Sequence, residues 1–231
     1  MTPSPASESS GRRRNAPRVA LALLEVIRAQ DRPTEILADE DPTVTMPRRL
    51  GLSEVVETQI RRYRADVKEK RKLSDQELQD LFRLVIRRPD SEEVFLLSGA
   101  RLAEGVVRSR TPRGKVRLRV AFFKARRAFR AKLKALFGRK MGGFGSGPFL
   151  FEGAGLLFVQ ADPGGDACRM VTGMCEGILK RYVGSSVDVR HTLCQSRGDS
   201  TCRWVGITRE GLESDLEKQD SGKERGDSDG E

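Results

Sequence analysis

The last third of the chain contains four side chains of the types that commonly bind metal ions. Three cysteines and the only histidine follow the spacing Cys168-x22-His191-x2-Cys194-x7-Cys202. Three thiolates and one imidazole satisfy tetrahedral zinc completely, and they leave no coordination position for water or substrate. The spacing therefore predicts a zinc site that stabilises a fold and does not catalyse a reaction.

The spacing also indicates which elements carry the ligands. His191 and Cys194 are three residues apart, so both can bind one ion from the end of a single strand. Cys202 can return to the same ion from the other side of a turn at Gly198-Asp199. Cys168 must then come from another part of the fold.

Cys168 is predicted to lie in the first turn of a helix. Asp166 stands where an N-cap residue is expected. Cys175, the remaining cysteine, lies on nearly the same helix face but about 10 Å further along the axis, so we expect it not to share the metal. The apolar residues that recur at helical spacing are Val171, Met174, Ile178 and Leu179.

Other states of the cysteines remain open. Four cysteines can form two disulfides in three connectivities, but this pairing belongs to oxidising compartments. The apolar run that follows Arg12-Arg-Arg14 stops at Glu25 without a cleavage site, so we expect no secretory signal and a cytoplasmic protein with reduced thiols. The thiols can also be inert core side chains or redox groups. Because His191 is the only histidine, no histidine proton relay can exist elsewhere in the chain.

The residues around the four ligands resemble a 4-vinyl reductase domain. The similarity is carried by Cys168-x4-Gly173-x3-Gly177, by Val187-Asp-Val189 and by Cys194-x3-Gly198-Asp199-x2-Cys202-x-Trp204. The stretch Leu156-Leu-Phe-Val-Gln-Ala-Asp162-Pro163 is similar to the strand that enters the cysteine helix in that family. The resemblance therefore covers roughly residues 145–208.

The resemblance implies a small-molecule-binding α+β module, found in bacterial and archaeal proteins and as the aromatic-sensing input domain of certain transcriptional activators. In the sensor members three cysteines and a glutamate hold zinc, and the glutamate position falls on His191. Imidazole is an equally good zinc ligand. The implied ligand is apolar or aromatic, and the side chains that either line its pocket or form plain core are Phe149, Phe151, Phe158, Val171, Met174 and Cys175.

The family name implies an alternative function in tetrapyrrole metabolism, where vinyl reduction is a step of bacteriochlorophyll synthesis. The sequence argues against autonomous reduction, because it contains neither a complete dinucleotide fingerprint nor a flavin signature. The predicted metal site is also closed to substrate. We therefore expect a sensor-type binding protein that is not an enzyme, with an accessory or reductase role as the alternative.

Residues 18–107 are predicted to form a helical region. Residues 19–29 are expected to form a short helix or a docking segment, and Ser53 begins a second helix. Ser74-Asp-Gln-Glu77 is a capping box that opens a third helix. Ser91 is expected to cap a fourth. Periodic apolar faces usually indicate core packing, so residues 53–107 are interpreted as a scaffold without chemistry of their own.

Residues 108–140 are strongly basic, because they contain fourteen lysines and arginines and no acidic residue. This local charge exceeds the net charge of +10 of the whole chain. The apolar residues Leu118, Phe122, Ala125, Phe129, Leu133 and Leu136 recur at helical spacing, which predicts an amphipathic helix with a cationic opposite face. We expect the stripe to pack on the core; contact with nucleic acid or an anionic membrane is the alternative. The residues predicted for polyanion contact are Lys124, Arg126, Arg127, Arg130 and Lys134.

The last third is predicted to be a small sheet. The glycine-rich residues 141–148 lack the phosphate-loop and dinucleotide patterns and indicate a flexible joint or turn. Short strands are predicted at residues 149–151, 156–159, 187–193 and 202–207, and the helix that carries Cys168 crosses between the second and third of them. Four strands with helices predict an α+β fold, a small antiparallel sheet stabilised by zinc. The open sheet edge makes a homodimer the expected assembly.

The composition of the two chain ends predicts disordered tails, because both ends are polar and of low complexity. No apolar run approaches the roughly 18 residues needed to span a bilayer. The predicted order is a tail (1–17), a helical region (18–107), a basic helix (108–140), the zinc-bearing module (141–208) and a second tail (209–231).

Overall fold

A computed structural model describes residues 13–31, 54–105, 115–184 and 187–208 of the chain. These residues form six α-helices and a four-stranded antiparallel sheet, so the predicted α+β class is confirmed. The helices are α1 (Pro17–Gln30), α2 (Glu54–Lys68), α3 (Asp75–Ile86), α4 (Ser91–Ala103), α5 (Lys115–Phe137) and α6 (Cys168–Tyr182). The strands are β1 (Gly143–Phe144), β2 (Leu150–Gly153), β3 (Val187–Leu193) and β4 (Cys202–Thr208), with a 3-10 turn (Gln195–Arg197) between the last two.

The sheet has the strand order β1-β2-β4-β3, and each neighbouring pair is antiparallel. Gly153 of β2 lies opposite Cys202 of β4. His191 of β3 lies opposite Trp204 of β4, and the register shifts between His191 and Leu193. Two of the predicted ligands, His191 and Cys202, therefore lie on neighbouring strands.

Two parts of the strand prediction are wrong. Residues 156–159 form turns, in which the N–H of Val159 donates to the carbonyl of Leu156. The buried side chain of Gln79 donates to the carbonyl of Leu157, so this carbonyl finds its partner outside any sheet. The glycine-rich segment, predicted to be a joint or turn, contributes β1 instead. The strand count is confirmed, but one strand lies elsewhere.

The helix starts follow the sequence signal in one case and depart from it in another. Ser74 Oγ accepts a 3.1 Å hydrogen bond from the N–H of Glu77, whose carboxylate accepts a 2.7 Å bond from the N–H of Ser74. The predicted capping box is thus confirmed. Ser91 is not the cap of α4 but its first residue, and its hydroxyl donates a 2.6 Å hydrogen bond to Asp166. This bond connects the start of α4 to the loop before α6.

Residues 13–17, assigned to an N-terminal tail from the sequence, belong to the fold, because Asn15 is buried and forms a β-bridge with Leu73 and Pro17 begins α1. Residues 1–12 and 209–231 lie outside the described part of the chain. Within that part, no helix combines the length and the apolar character needed to cross a membrane.

Helices α4 and α6 approach each other closely through glycines. A Cβ added at Gly173 of α6 would lie 2.0 Å from the carbonyl oxygen of Leu96. A Cβ at Gly99 of α4 would lie 2.0 Å from the carbonyl oxygen of Met170. Only glycine permits such backbone contact. The helix that begins at Cys168 is therefore held directly against the helical region.

The buried side chains of the helices and the sheet form one hydrophobic cluster. Phe129 of α5 packs edge-on against Phe144, Phe149 and Phe151, with ring centroids 6.0, 5.9 and 4.9 Å away. Helix α5 therefore packs against the β1–β2 part of the sheet, as its apolar stripe predicts. The buried residues of that stripe are Phe122, Ala125, Phe129, Leu133 and Leu136, and Leu118 is partly buried beside them.

Candidate metal centre

The four residues that the sequence spacing predicts as ligands converge on one point. Ligand atoms of Cys168, His191, Cys194 and Cys202 all lie within 4.8 Å of one another. The Sγ atom of Cys168 lies 3.9 Å from Cys194 Sγ and 3.9 Å from Cys202 Sγ. The three cysteines are buried and His191 is half-buried. These four side chains, called the cysteine–histidine cluster below, can hold a metal ion.

Separate local structures bring the four side chains together. Cys168 is the first residue of α6 and Cys202 the first of β4, whereas His191 lies in β3 and Cys194 directly follows it. After the 3-10 turn the chain passes through Gly198, whose φ of 102° lies in the left-handed region that glycine favours. The observed arrangement is the predicted one, a strand end followed by a turn and a returning strand.

Hydrogen bonds to the backbone hold the loop between Cys194 and Cys202. The carboxylate of Asp199 accepts a 2.6 Å hydrogen bond from the N–H of Cys194, and the N–H of Asp199 donates to the carbonyl of Cys194. The N–H of Gln195 donates to Sγ of Cys202 at 3.3 Å. Hydrogen bonds to a charged form stabilise that form. The loop therefore positions the two sulfur atoms and favours a thiolate at Cys202.

Asp162 organises the loop in front of Cys168. Its buried carboxylate accepts hydrogen bonds from the N–H groups of Gly164, Gly165 and Ala167 at 3.0, 3.0 and 2.6 Å. This role of Asp162 was not predicted from the sequence. The available signal was an aspartate followed by proline and two glycines, a composition typical of turns closed by an aspartate side chain.

The predicted N-cap role of Asp166 is wrong. Ala167 is the N-cap residue of α6 and makes no side-chain capping bond, while Asp166 accepts a hydrogen bond from Ser91. Gly165 has a φ of 91°, and a Cβ added there would lie 2.9 Å from Sγ of Cys194. The loop therefore approaches the cluster so closely that a side chain at position 165 would meet the sulfur of Cys194.

The ring of His191 is held by stacking. It lies parallel to the ring of Trp204, with centroids 4.6 Å apart and an interplanar angle of 10°. Trp204 Nε1 donates a 3.2 Å hydrogen bond to Thr172 Oγ1, which connects β4 to α6. The Nε2 atom of His191 is buried and has no hydrogen-bond partner among the described residues. A buried polar atom of this kind calls for a ligand or another partner.

The pKa values of the thiols differ because their surroundings differ. The pKa of Cys202 is lowered, chiefly because Cys168 donates a hydrogen bond to its thiolate, with His191 and the N–H of Gln195 acting in the same direction. The same hydrogen bond, together with burial, raises the pKa of Cys168. Burial raises the pKa of Cys175, which is not among the four converging side chains.

The residues predicted to line an apolar pocket are all buried in the hydrophobic cluster. Phe149 and Phe151 pack against Phe129, and Phe158 packs edge-on against Phe82 with ring centroids 6.4 Å apart. These contacts agree with the alternative prediction that the residues form plain core. The other three, Val171, Met174 and Cys175, are buried residues of α6.

The predicted polyanion-contact residues separate into two groups. Arg126 is half-buried and donates hydrogen bonds to the carbonyls of Pro148 and Gly145 at 2.9 and 3.4 Å. These bonds connect α5 to the loop between β1 and β2. Its guanidinium also lies over the ring of Phe144. The other four residues are exposed on α5, namely Lys124, Arg127, Arg130 and Lys134.

Comparisons of the chain with protein-family models, with curated proteins and with solved structures found no match. The resemblance to a 4-vinyl reductase domain therefore stays a prediction from the motifs around the four ligands. The capacity of the cysteine–histidine cluster to hold a metal ion rests on its geometry.

Proposed function

We propose that the cysteine–histidine cluster binds one zinc ion with a structural role. In tetrahedral geometry, Zn–S bonds of about 2.3 Å place neighbouring sulfur atoms about 3.8 Å apart. The separations of 3.9 Å from Cys168 to Cys194 and to Cys202 fit this value. A disulfide requires about 2.05 Å. The sulfur separations are the observation that carries the proposal.

The donor set favours zinc over other common ions. Thiolates together with an imidazole suit zinc, whereas calcium and magnesium prefer oxygen ligands. The buried, unpartnered Nε2 of His191 adds support, because zinc would satisfy a ring nitrogen that lacks a hydrogen bond. The site requires reduced thiols, so we place the protein in the cytoplasm.

Four protein ligands close the coordination sphere, and this determines the role of the ion. A closed site stabilises the fold and has no position for a substrate. Its ligands come from α6, β3, the loop after β3, and β4, so the ion would connect the ends of these elements. The closed site gives no support to the alternative of vinyl reduction at the metal.

Elemental analysis of protein purified without a histidine tag tests the zinc proposal. We expect one zinc per chain, and we expect Cys168→Ala, Cys194→Ala and Cys202→Ala each to lose zinc and to unfold or aggregate, because metal binding is coupled to folding. Cys175→Ala is the matched control, since it should keep zinc and lose only about 1 kcal/mol of stability. Metal-free protein with four titratable thiols, or equal damage from all four substitutions, would contradict the proposal.

We further propose that the zinc-stabilised module binds a small apolar or aromatic molecule, as the resemblance to sensor domains implies. Ligand sites of this kind have mainly apolar and aromatic linings. The phenylalanines between α5 and the sheet pack against one another around Phe129, so a ligand bound there would displace part of this core. The zinc centre would hold the strands and the loop at the other end of the module.

Organic extraction of the purified full chain, followed by mass spectrometry, tests ligand binding. We expect one apolar molecule per chain, and we expect its return to extracted protein to raise the unfolding temperature, because a ligand that binds the folded state stabilises it. An ionic metabolite added at the same concentration is the control and should cause no shift. Recovery of no ligand, together with no shift from a panel of aromatic hydrocarbons, would contradict this function while leaving the zinc centre intact.

A further inference from the structure

One face of α5 contributes neither to the core nor to the metal centre. At about 100° per residue, five basic side chains and one phenylalanine fall within an arc of about 140° opposite the buried stripe, with Val120 and Ala131 between them, and they extend about 22 Å along the helix axis. All six are exposed. These residues, called the α5 cationic face below, are Arg119, Phe123, Lys124, Arg127, Arg130 and Lys134.

The charge of this face is not neutralised within the described part of the chain. Its five basic side chains form no ion pair with a described residue, and Arg130 contacts the ring of Phe144. Other cations of the same helix are engaged differently, since Arg126 donates to Pro148 and Lys132 donates to the carbonyl of Glu104. The α5 cationic face therefore presents five positive charges to a partner.

Phe123 lies within this cationic arc and is 65% exposed. Folding does not account for its position, because the neighbouring Phe122 belongs to the buried stripe on the other side of the helix. Exposed apolar area is unfavourable in water. An aromatic ring surrounded by cations is typical of surfaces that bind single-stranded nucleic acid, where the cations contact phosphates and the ring stacks on a base.

We propose that the α5 cationic face binds single-stranded nucleic acid. A membrane is the poorer partner, because an amphipathic helix enters the lipid interface through its apolar stripe. In α5 that stripe is buried, with Phe122 and Phe129 in the core. A duplex is also a poorer partner, because its bases stack on one another and leave none for Phe123. The site is separate from the zinc centre and from the proposed apolar ligand.

Fluorescence anisotropy with a labelled, mixed-sequence single strand of about 16 nucleotides, titrated with the full chain, tests the proposal. Five phosphate contacts predict a slope of about −3.5 in a plot of log affinity against log salt concentration. The triple variant Arg127→Gln/Arg130→Gln/Lys134→Gln should reduce this slope by about 2. The matched control Lys68→Gln/Lys70→Gln/Lys72→Gln removes the same charge from exposed positions at the end of α2 and directly after it, and it should leave the slope unchanged.

Two further variants test whether the ring of Phe123 stacks on a base. Phe123→Leu keeps an apolar side chain but removes the stacking ring, so we expect about tenfold weaker binding of the single strand. Leu84→Ala changes an equally exposed apolar residue on α3 and should not alter the affinity. Circular dichroism of every variant checks that the fold is retained.

Four results would overturn the proposal. The first is equal weakening by the α5 triple variant and the Lys68, Lys70 and Lys72 control, which would indicate a response to net charge alone. The second is unchanged binding in Phe123→Leu. The third is equally tight binding of a duplex of the same sequence. The fourth is binding to vesicles that contain phosphatidylserine without binding to the oligonucleotide, which would make the face a membrane contact.

Discussion

At the scale of single residues, the cysteine–histidine cluster depends on two aspartates that are not among its predicted ligands. Asp199 bonds to both the N–H and the carbonyl of Cys194. Asp162 accepts three backbone hydrogen bonds in the loop before Cys168. Loops lack the regular backbone hydrogen bonds of helices and strands, and the two carboxylates supply acceptors in their place. The aspartates therefore fix the backbone that positions the sulfur atoms.

The first prediction concerns Asp162. Asp162→Ala leaves the buried N–H groups of Gly165 and Ala167 without an acceptor, and each such group costs about 1–3 kcal/mol. We expect the free energy of unfolding, measured in urea, to fall by at least about 2 kcal/mol. Asp162→Asn retains one oxygen acceptor and should lose less. Asp188→Ala, at an exposed position of β3, is the control, and an equal loss there would contradict the role of Asp162.

At the scale of elements, the approach of α4 to α6 depends on the absence of side chains. Alanine at Gly173 would gain about 1 kcal/mol in helix propensity. However, its Cβ would lie 2.0 Å from a backbone oxygen of Leu96, and overpacking of this kind costs about 1–3 kcal/mol or more. The cost of the backbone contact therefore exceeds the gain in helix propensity, because neither α4 nor α6 can move away without disturbing the core.

We therefore predict that Gly173→Ala destabilises the protein by about 2 kcal/mol or more in chemical denaturation. The matched control is Gly143→Ala, because a Cβ at Gly143 meets nothing within 4 Å. The control should stay within about 0.5 kcal/mol of the unsubstituted protein. Equal stability of the two variants would show that α4 and α6 can separate at little cost.

A second prediction at this scale concerns Asp75, which connects three elements. Arg14 and Asn15, before α1, and Arg139, after α5, all donate hydrogen bonds to its carboxylate at the start of α3. The bond from Arg14 is the main reason that the pKa of Asp75 is lowered from its ordinary value of 3.8. A lowered pKa contributes stability above the ordinary pKa, and this stability is lost as pH falls through the folded-state pKa.

We expect Asp75→Asn to lower the unfolding free energy at neutral pH by about 1–2 kcal/mol. The difference from the unsubstituted protein should shrink as the pH falls below about 4. Urea unfolding at a series of pH values measures it. Asp80→Asn removes an exposed partner of Arg83 and should have little effect at any pH, since exposed ion pairs contribute little. A difference for Asp75→Asn that does not change with pH would contradict the linkage.

At the scale of the whole molecule, the helical region and the sheet share one hydrophobic cluster. Trp204 is the only tryptophan and lies in β4, so its fluorescence reports on the sheet, while far-ultraviolet circular dichroism reports mainly on the helices. We predict that the two signals follow a single unfolding curve in urea, because a shared core unfolds cooperatively. A zinc chelator should shift both curves together.

Two separate curves would contradict the shared core. They would instead support the sequence-based division between the regions before and after residue 141. Phe129→Ala provides a second check, because Phe129 belongs to α5 but packs against Phe149 and Phe151 of the sheet segment. The substitution should cost about 3–5 kcal/mol and should move both signals equally.

The elements that the sequence predicts correctly depend on local signals. The capping box at Ser74 and the apolar stripe around Phe129 involve neighbours one helical turn apart. The strand prediction for residues 156–159 is wrong because a short apolar run is compatible with more than one buried conformation. Its conformation depends on a distant partner, since Gln79 bonds to the carbonyl of Leu157.

The four side chains that converge in the cluster could be selected from the sequence, because metal chemistry restricts which side chains can act together at a given spacing. The tertiary structure alone decided what holds those side chains in place. The stacking of His191 on Trp204 depends on strand register, and the glycine contact of α4 with α6 depends on packing between residues far apart in the chain. Local sequence determines which residues form helices or strands and which side chains can bind a metal ion. The distances between elements are set by the hydrophobic cluster that the described helices and strands share.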